Sequence, residues 1–244
     1  LSPFELVCTS PPQPAGARGA VEVTSNGRDW TMDGVRFEYA AAAVAEAVEP
    51  PLGPAAGGTL VEVRGSGFAR SRLLVCRFGA GVPPVAATWL SDARVRCRAP
   101  ARSLLGNVSL AVSTNNQQFA AGDALFEYAA ELVVSRVLPP QGPVGGGTLV
   151  TVLGAHFPAR AAALGSLLCR FGEAAVPAIF VDAGELRCAS PAHVAGEAVL
   201  ELSANGGADY SDDGHLFEFA ALSLIGLSPK VGPASGGTLL HLAA

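Results

Sequence analysis

Hydrophobic and polar residues alternate along most of this chain in short runs bounded by Gly and Pro, the pattern of strands with one buried face. Thr59, Val61 and Val63 fall on one face, and Leu60, Glu62 and Arg64 on the other. Val150 and Val152, and later Leu240 and Leu242, take the same inward positions. A second set places Val108, Leu110 and Val112 in line with Ala198, Leu200 and Leu202, and with Gly19, Val21 and Val23. No window carries a convincing 3.6-residue period, so helices are not expected. Short strands at this spacing predict an all-β chain of antiparallel sandwiches.

The pattern is also periodic on a larger scale. Gly53-Pro54-Ala55-Ala56-Gly57-Gly58-Thr59 returns as Gly142-Pro143-Val144-Gly145-Gly146-Gly147-Thr148 and again as Gly232-Pro233-Ala234-Ser235-Gly236-Gly237-Thr238, a repeat of about 90 residues. Cys76-Arg77-Phe78-Gly79 matches Cys169-Arg170-Phe171-Gly172, and Arg96-Cys97 with Pro100 matches Arg187-Cys188 with Pro191. An echo of the latter sits at Cys8 and Pro11. Phe37-Glu38-Tyr39, Phe126-Glu127-Tyr128 and Phe217-Glu218-Phe219 close three copies.

The phase of these motifs predicts two whole units, over 43–129 and 130–220. Residues 1–40 are expected to be the back half of an earlier unit and 221–244 the opening of a later one, in a parent protein that continues both ways. The first residues do not read as a signal peptide. The link after Tyr128-Ala129 is a few residues long, so neighbouring units are expected to stack end to end as a semi-rigid rod. Each unit would add on the order of 30–40 Å.

Composition narrows the classes. The 244 residues suit one to two domains, and half are hydrophobic, enough for buried cores. No apolar run approaches the ~20 residues of a membrane span. Sixteen basic residues stand against 21 acidic ones, and Lys230 is the only lysine, so nucleic acid is not an expected partner.

Taken together, the Gly-Pro-x-x-Gly-Gly-Thr turn, a Gly-x-x-Phe (Gly65 to Phe68, Gly154 to Phe157), Cys-Arg-Phe-Gly, Arg-Cys-x-x-Pro and the closing Phe-Glu-Tyr resemble the IPT/TIG family over nearly the whole chain. The resemblance implies tandem immunoglobulin-like β-sandwiches arranged end to end. The cysteine-bearing pattern resembles the extracellular branch of plexins and fibrocystin-like proteins, rather than the intracellular transcription-factor branch. What the family implies is adhesion, recognition or mechanical spacing, with no shared catalytic residues.

Five cysteines fall as one pair in each whole unit and one remainder. Cys76 is expected to bond Cys97 and Cys169 to bond Cys188, each closing a loop worth roughly 3 kcal/mol in the chain-entropy model. Cys8 aligns with Cys97 and Cys188, so its partner is expected upstream, outside this chain. Buried free thiols are the plain alternative; zinc would need nearby Cys or His ligands that are lacking. Paired cysteines imply an oxidising compartment. Asn107-Val108-Ser109 is an N-glycosylation sequon, with Asn107 on the outward side of its strand.

Other candidates have plainer readings. The glycine-rich turns have no following Lys and lead into strands, so they are backbone turns rather than phosphate loops. His156, His193, His215 and His241 occupy different parts of the repeat and suggest no metal or catalytic set. Asp209, Asp212 and Asp213 surround Tyr210 in a loop where calcium is conceivable, although a solvated turn accounts for them. The resulting expectation is a segment of a secreted or cell-surface protein, with any membrane anchor lying outside it. No catalysis, cofactor or metal is expected. It would act on other proteins, or on further copies of its own array, in interaction, adhesion or a structural assembly. The alternatives are an accessory region of a large extracellular enzyme and, further off, an intracellular DNA-binding or dimerisation domain.

Overall fold

The computed structural model describes residues 5–221 and 223–243. The strands follow the alternation. They are β1 (Arg18–Ala20), β2 (Arg36–Glu38), β3 (Val44–Glu49), β4 (Leu52–Pro54), β5 (Leu60–Ser66), β6 (Val75–Phe78), β7 (Val85–Ser91), β8 (Arg94–Arg98), β9 (Gly106–Ser113) and β10 (Leu125–Ala129). The next repeat supplies β11 (Val133–Leu138), β12 (Gln141–Pro143), β13 (Leu149–Ala155), α1 (Ala159–Ala163), β14 (Leu168–Phe171), β15 (Ala174–Asp182), β16 (Glu185–Ala189), β17 (Gly196–Ser203) and β18 (His215–Ala220). A last hairpin joins β19 (Gly226–Ser228) and β20 (His241–Ala243).

The two repeats have one topology. Strand order is β3-β5-β8-β7-β6-β9-β10-β4 in the first and β11-β13-β16-β15-β14-β17-β18-β12 in the second, position for position the same. All pairings in the second are antiparallel except β12 with β18. β15 passes from one layer to the other: Ala174 to Pro177 pair with β14, and Ala178 onward with β16. That switch makes a sandwich from one continuous strand order. By compactness the chain divides into one unit of Leu1–Val48, Glu62–Cys97 and Ser109–Leu125, and another of Glu49–Val61, Arg98–Val108 and Phe126–Ala244.

Burial follows the predicted faces within both repeats. Thr59, Val61 and Val63 are buried while Leu60 and Arg64 are exposed, and Val108, Leu110, Val112, Ala198, Leu200 and Leu202 all lie inside. The same positions in the flanking pieces do not: Val21, Val23, Leu240 and Leu242 are exposed. Among the described residues β1–β2 and β19–β20 are two-stranded sheets, so no second layer covers them. Their registers still match the complete repeat. Gly19 faces Phe37 as Ala198 faces Phe217, and Leu227 faces Leu242 as Val137 faces Val152.

Two features depart from the alternation. α1 is a single turn of Ala-rich sequence, with Ala161 buried, too short to leave a helical period but favoured by Ala propensity. Cis peptides precede Pro50, Pro139 and Pro229, one at the same place in each copy. The Gly-Gly turn behaves as expected. Gly57 and Gly146 have φ of 76° and 74°, and a Cβ on either would run into the backbone of Ala101 or Pro191.

Candidate functional site

The cysteines sit where the layers meet. Cys76 on β6 is joined to Cys97 on β8, and Cys169 on β14 to Cys188 on β16, with Cα atoms 6.4 Å apart in each pair. Neither pair lies on neighbouring strands, because β7 or β15 runs between them. All four are buried, whereas Cys8 is free and exposed.

The arginine of Cys-Arg-Phe-Gly points the other way. Arg77 lies over the Phe119 ring at 4.0 Å, and Arg170 over Tyr210 at 3.7 Å, where it also pairs with Glu201. Asn107 and Ser109 are exposed on β9, and Arg160 of α1 donates to the Asn107 side-chain carbonyl (2.8 Å) and to Glu127 (2.6 Å). The Asn107 amide nitrogen has no hydrogen-bond partner among the described residues.

The acidic loop is more than a solvated turn, which corrects the sequence reading. Asp209 is half-buried: Oδ2 accepts from the Thr59 hydroxyl (2.6 Å) and from the Asn205 amide (2.7 Å). Asn205 is buried and also donates to the Leu52 carbonyl (3.3 Å). Asp213 accepts from the Val134 N–H (3.0 Å). Asp212 and Asp213 are both exposed, so only Asp209 is drawn inward. All these residues belong to the second compact unit, where a cleft of about 360 Å³ runs between the 52–56 turn, the 129–133 link and the 204–213 loop.

Among the described residues no group of three or more His, Cys, Asp or Glu is placed to hold a metal. The histidines are spread out: His193 stacks on Phe219, His215 meets the Val134 carbonyl, His156 meets that of Glu131, and His241 is exposed. No helix among the described residues is long and apolar enough to cross a membrane.

The loop motif that builds the Asp209 contact was legible but unread. Thr24-Ser25-Asn26, Ser113-Thr114-Asn115 and Ser203-Ala204-Asn205 recur at the repeat spacing. Hydrophobic alternation gave no hint of it, because the motif is polar and starts where β9 and β17 end.

A family model described as the IPT/TIG domain matches residues 43–128 and 132–219, well over half of the chain. The chain belongs to the IPT/TIG family. Human Fibrocystin-L is 27% identical over 247 residues, a match that covers 98% of this chain and 6% of that protein. A structure of the full plexin A4 extracellular region superposes with a TM-score of 0.50 at 15% identity, over 84% of this chain and 19% of that one. The chain therefore spans a small part of each. These matches lie on the plexin and fibrocystin-like side of the IPT/TIG family.

Within the first IPT/TIG domain, the closing tyrosine has a measurable signature. Tyr128 is buried and donates to the Pro100 carbonyl (2.9 Å). Burial pushes its phenol up to about 12, against a smaller opposing pull from Arg102. The phenol stays neutral in the fold but ionises near 10 once unfolded. Stability from this group is complete below pH 10 and is lost as pH rises towards 12. Tyr128→Phe, which copies Phe219 of the next domain, is expected to flatten that alkaline decline. Melting curves from pH 9 to 12 check it, and an unchanged slope in the variant refutes it.

Proposed function

We propose that this chain is a non-catalytic stretch of tandem IPT/TIG domains in a large secreted or cell-surface protein, working through protein–protein contact in adhesion, recognition or a structural assembly. The observation that carries the reading is the pair of like sandwiches, each cross-linked by its own buried disulfide. Such bonds persist in oxidising compartments. The likeness to Fibrocystin-L and to a plexin extracellular region supports the same placement. The polar groups that invite a chemical role have structural partners: Asp209 is bound by Thr59 and Asn205, Asp213 by Val134, and His193 is stacked on Phe219.

The domains in this reading run over 43–129 and 130–220. Residues 1–40 carry the closing motifs of another copy and 221–244 the opening ones, and Cys8 would pair with a cysteine of its own copy. Expressed through a secretory pathway, the chain is expected to show one reactive thiol before reduction and five after it. Five reactive thiols in fresh secreted protein would overturn the extracellular reading. Beads coated with the chain are expected to hold cells or one another, and beads that hold neither would remove the adhesive role.

Asn107 is expected to carry an N-linked glycan, its amide nitrogen losing a proton and taking the oligosaccharide from a lipid-linked donor whose lipid pyrophosphate leaves. Secreted protein should lose the mass of one glycan in Asn107→Gln and equally in Ser109→Ala. Equal masses for the variants and the parent chain would exclude the site.

A further inference from the structure

Thr59 and Thr148 hold one position in the repeated turn but have different surroundings. Each hydroxyl lies against its glycine, where a Cβ on Gly53 or Gly142 would strike it. Thr59 is fully buried and donates to Asp209. Thr148 is only half-buried, and its hydroxyl has no hydrogen-bond partner among the described residues. What covers Thr59 is the loop after β17 of the following domain.

That loop is encoded in every copy. Asn26, Asn115 and Asn205 are each followed by a residue of positive φ, namely Gly27 (70°), Asn116 (58°) and Gly206 (71°). Next come an acceptor, Asp29, Gln118 or Asp209, and an aromatic, Trp30, Phe119 or Tyr210. In each copy the asparagine carbonyl takes the acceptor's backbone N–H. Its amide donates to the acceptor side chain, at 2.7, 2.6 and 2.7 Å. The acceptor oxygen is therefore held in place even in the exposed copies, so docking it costs little further ordering.

We propose that the Gly-Pro turn and this asparagine-held loop are the two complementary halves of the joint between successive IPT/TIG domains, and that the 142–148 turn is a docking surface for the loop of a further IPT/TIG domain. The occupant follows from the chain itself, since the same turn at 53–59 already holds such a loop. Its hydroxyl and the acceptor oxygen form a charge-assisted pair when the acceptor is Asp. The apolar part of the joint varies: Leu52 packs into the core of the second domain, whereas Gln141 stands at the same place in the next turn. The second joint is accordingly the more polar one.

This deepens the tandem-array reading and rests on it. In the 244-residue chain, Thr59→Val and Asp209→Ala are each expected to lower the melting temperature by about 4–8 °C, and the double variant by no more than Asp209→Ala alone, which already removes the Thr59 contact along with that of Asn205. The docking surface is read in a lengthened chain, with a copy of residues 155–220 placed after residue 244 to complete a third domain and its loop. There Thr148→Val is expected to give a similar drop, against less than about 2 °C in the 244-residue chain. Equal effects of Thr148→Val in both chains, or additive losses at Thr59 and Asp209, overturn the joint. If the lengthened chain does not fold, the cycle at Thr59 and Asp209 decides alone. Additive losses in a chain whose four paired cysteines resist labelling would remove the joint and leave the proposed function intact; five reactive thiols would overturn the extracellular reading instead.

Discussion

Phe217→Ala is expected to destabilise the second domain by about 3–5 kcal/mol, while Phe37→Ala, at the same motif position, costs less than about 1 kcal/mol. Phe217 is fully buried and meets Phe171 and Phe219 edge-on, with ring centroids 5.2 and 4.9 Å away. Truncating it removes a large transfer contribution and leaves a cavity that a β-sandwich closes poorly. Phe37 meets Tyr39 edge-on and is 44% exposed, so water fills the place of its ring. Urea unfolding of the two variants checks the contrast. Similar losses would mean that the piece around β2 has a closed core of its own.

Replacing Cys169 and Cys188 together by Ala is expected to cost about 3 kcal/mol and to lower the melting temperature of the second domain by more than about 10 °C. The bond closes a separation of 19 residues and ties β14 to β16 around the strand that changes layers. Its removal frees the unfolded chain and leaves unfilled space at a fully buried site. Cys8→Ala, at an exposed free cysteine, is expected to leave the transition in place. Calorimetry with and without reductant is the check, and a domain that melts unchanged after reduction would refute the cross-link's role.

The strand faces were readable because each rests on a local rule. A side chain at Val61 or Leu200 points opposite to its neighbours whatever lies beyond the strand, so alternation alone assigns its side. The Gly-Gly turns were readable for a similar reason, since a positive φ at Gly146 belongs to a few consecutive residues. α1 was missed because one turn of Ala-rich helix carries no period. The Asp209 loop was misjudged because its partners, Thr59 and Leu52, lie about 150 residues earlier in the chain.

By itself the sequence determined the all-β class, the repeat and its phase, which strand face is apolar, and which turns require glycine. Each follows from backbone geometry and side-chain chemistry over stretches of ten residues or fewer, or from comparing one stretch with another. Only the tertiary structure decided which apolar faces are covered, leaving Val21 and Leu242 exposed while Val112 and Val152 are buried. It alone brought Arg160 to Glu127 and Asn107, and joined Thr59 to Asp209. Burial and hydrogen bonding between distant segments depend on how whole strands are ordered and layered, and no local pattern of polarity encodes that order.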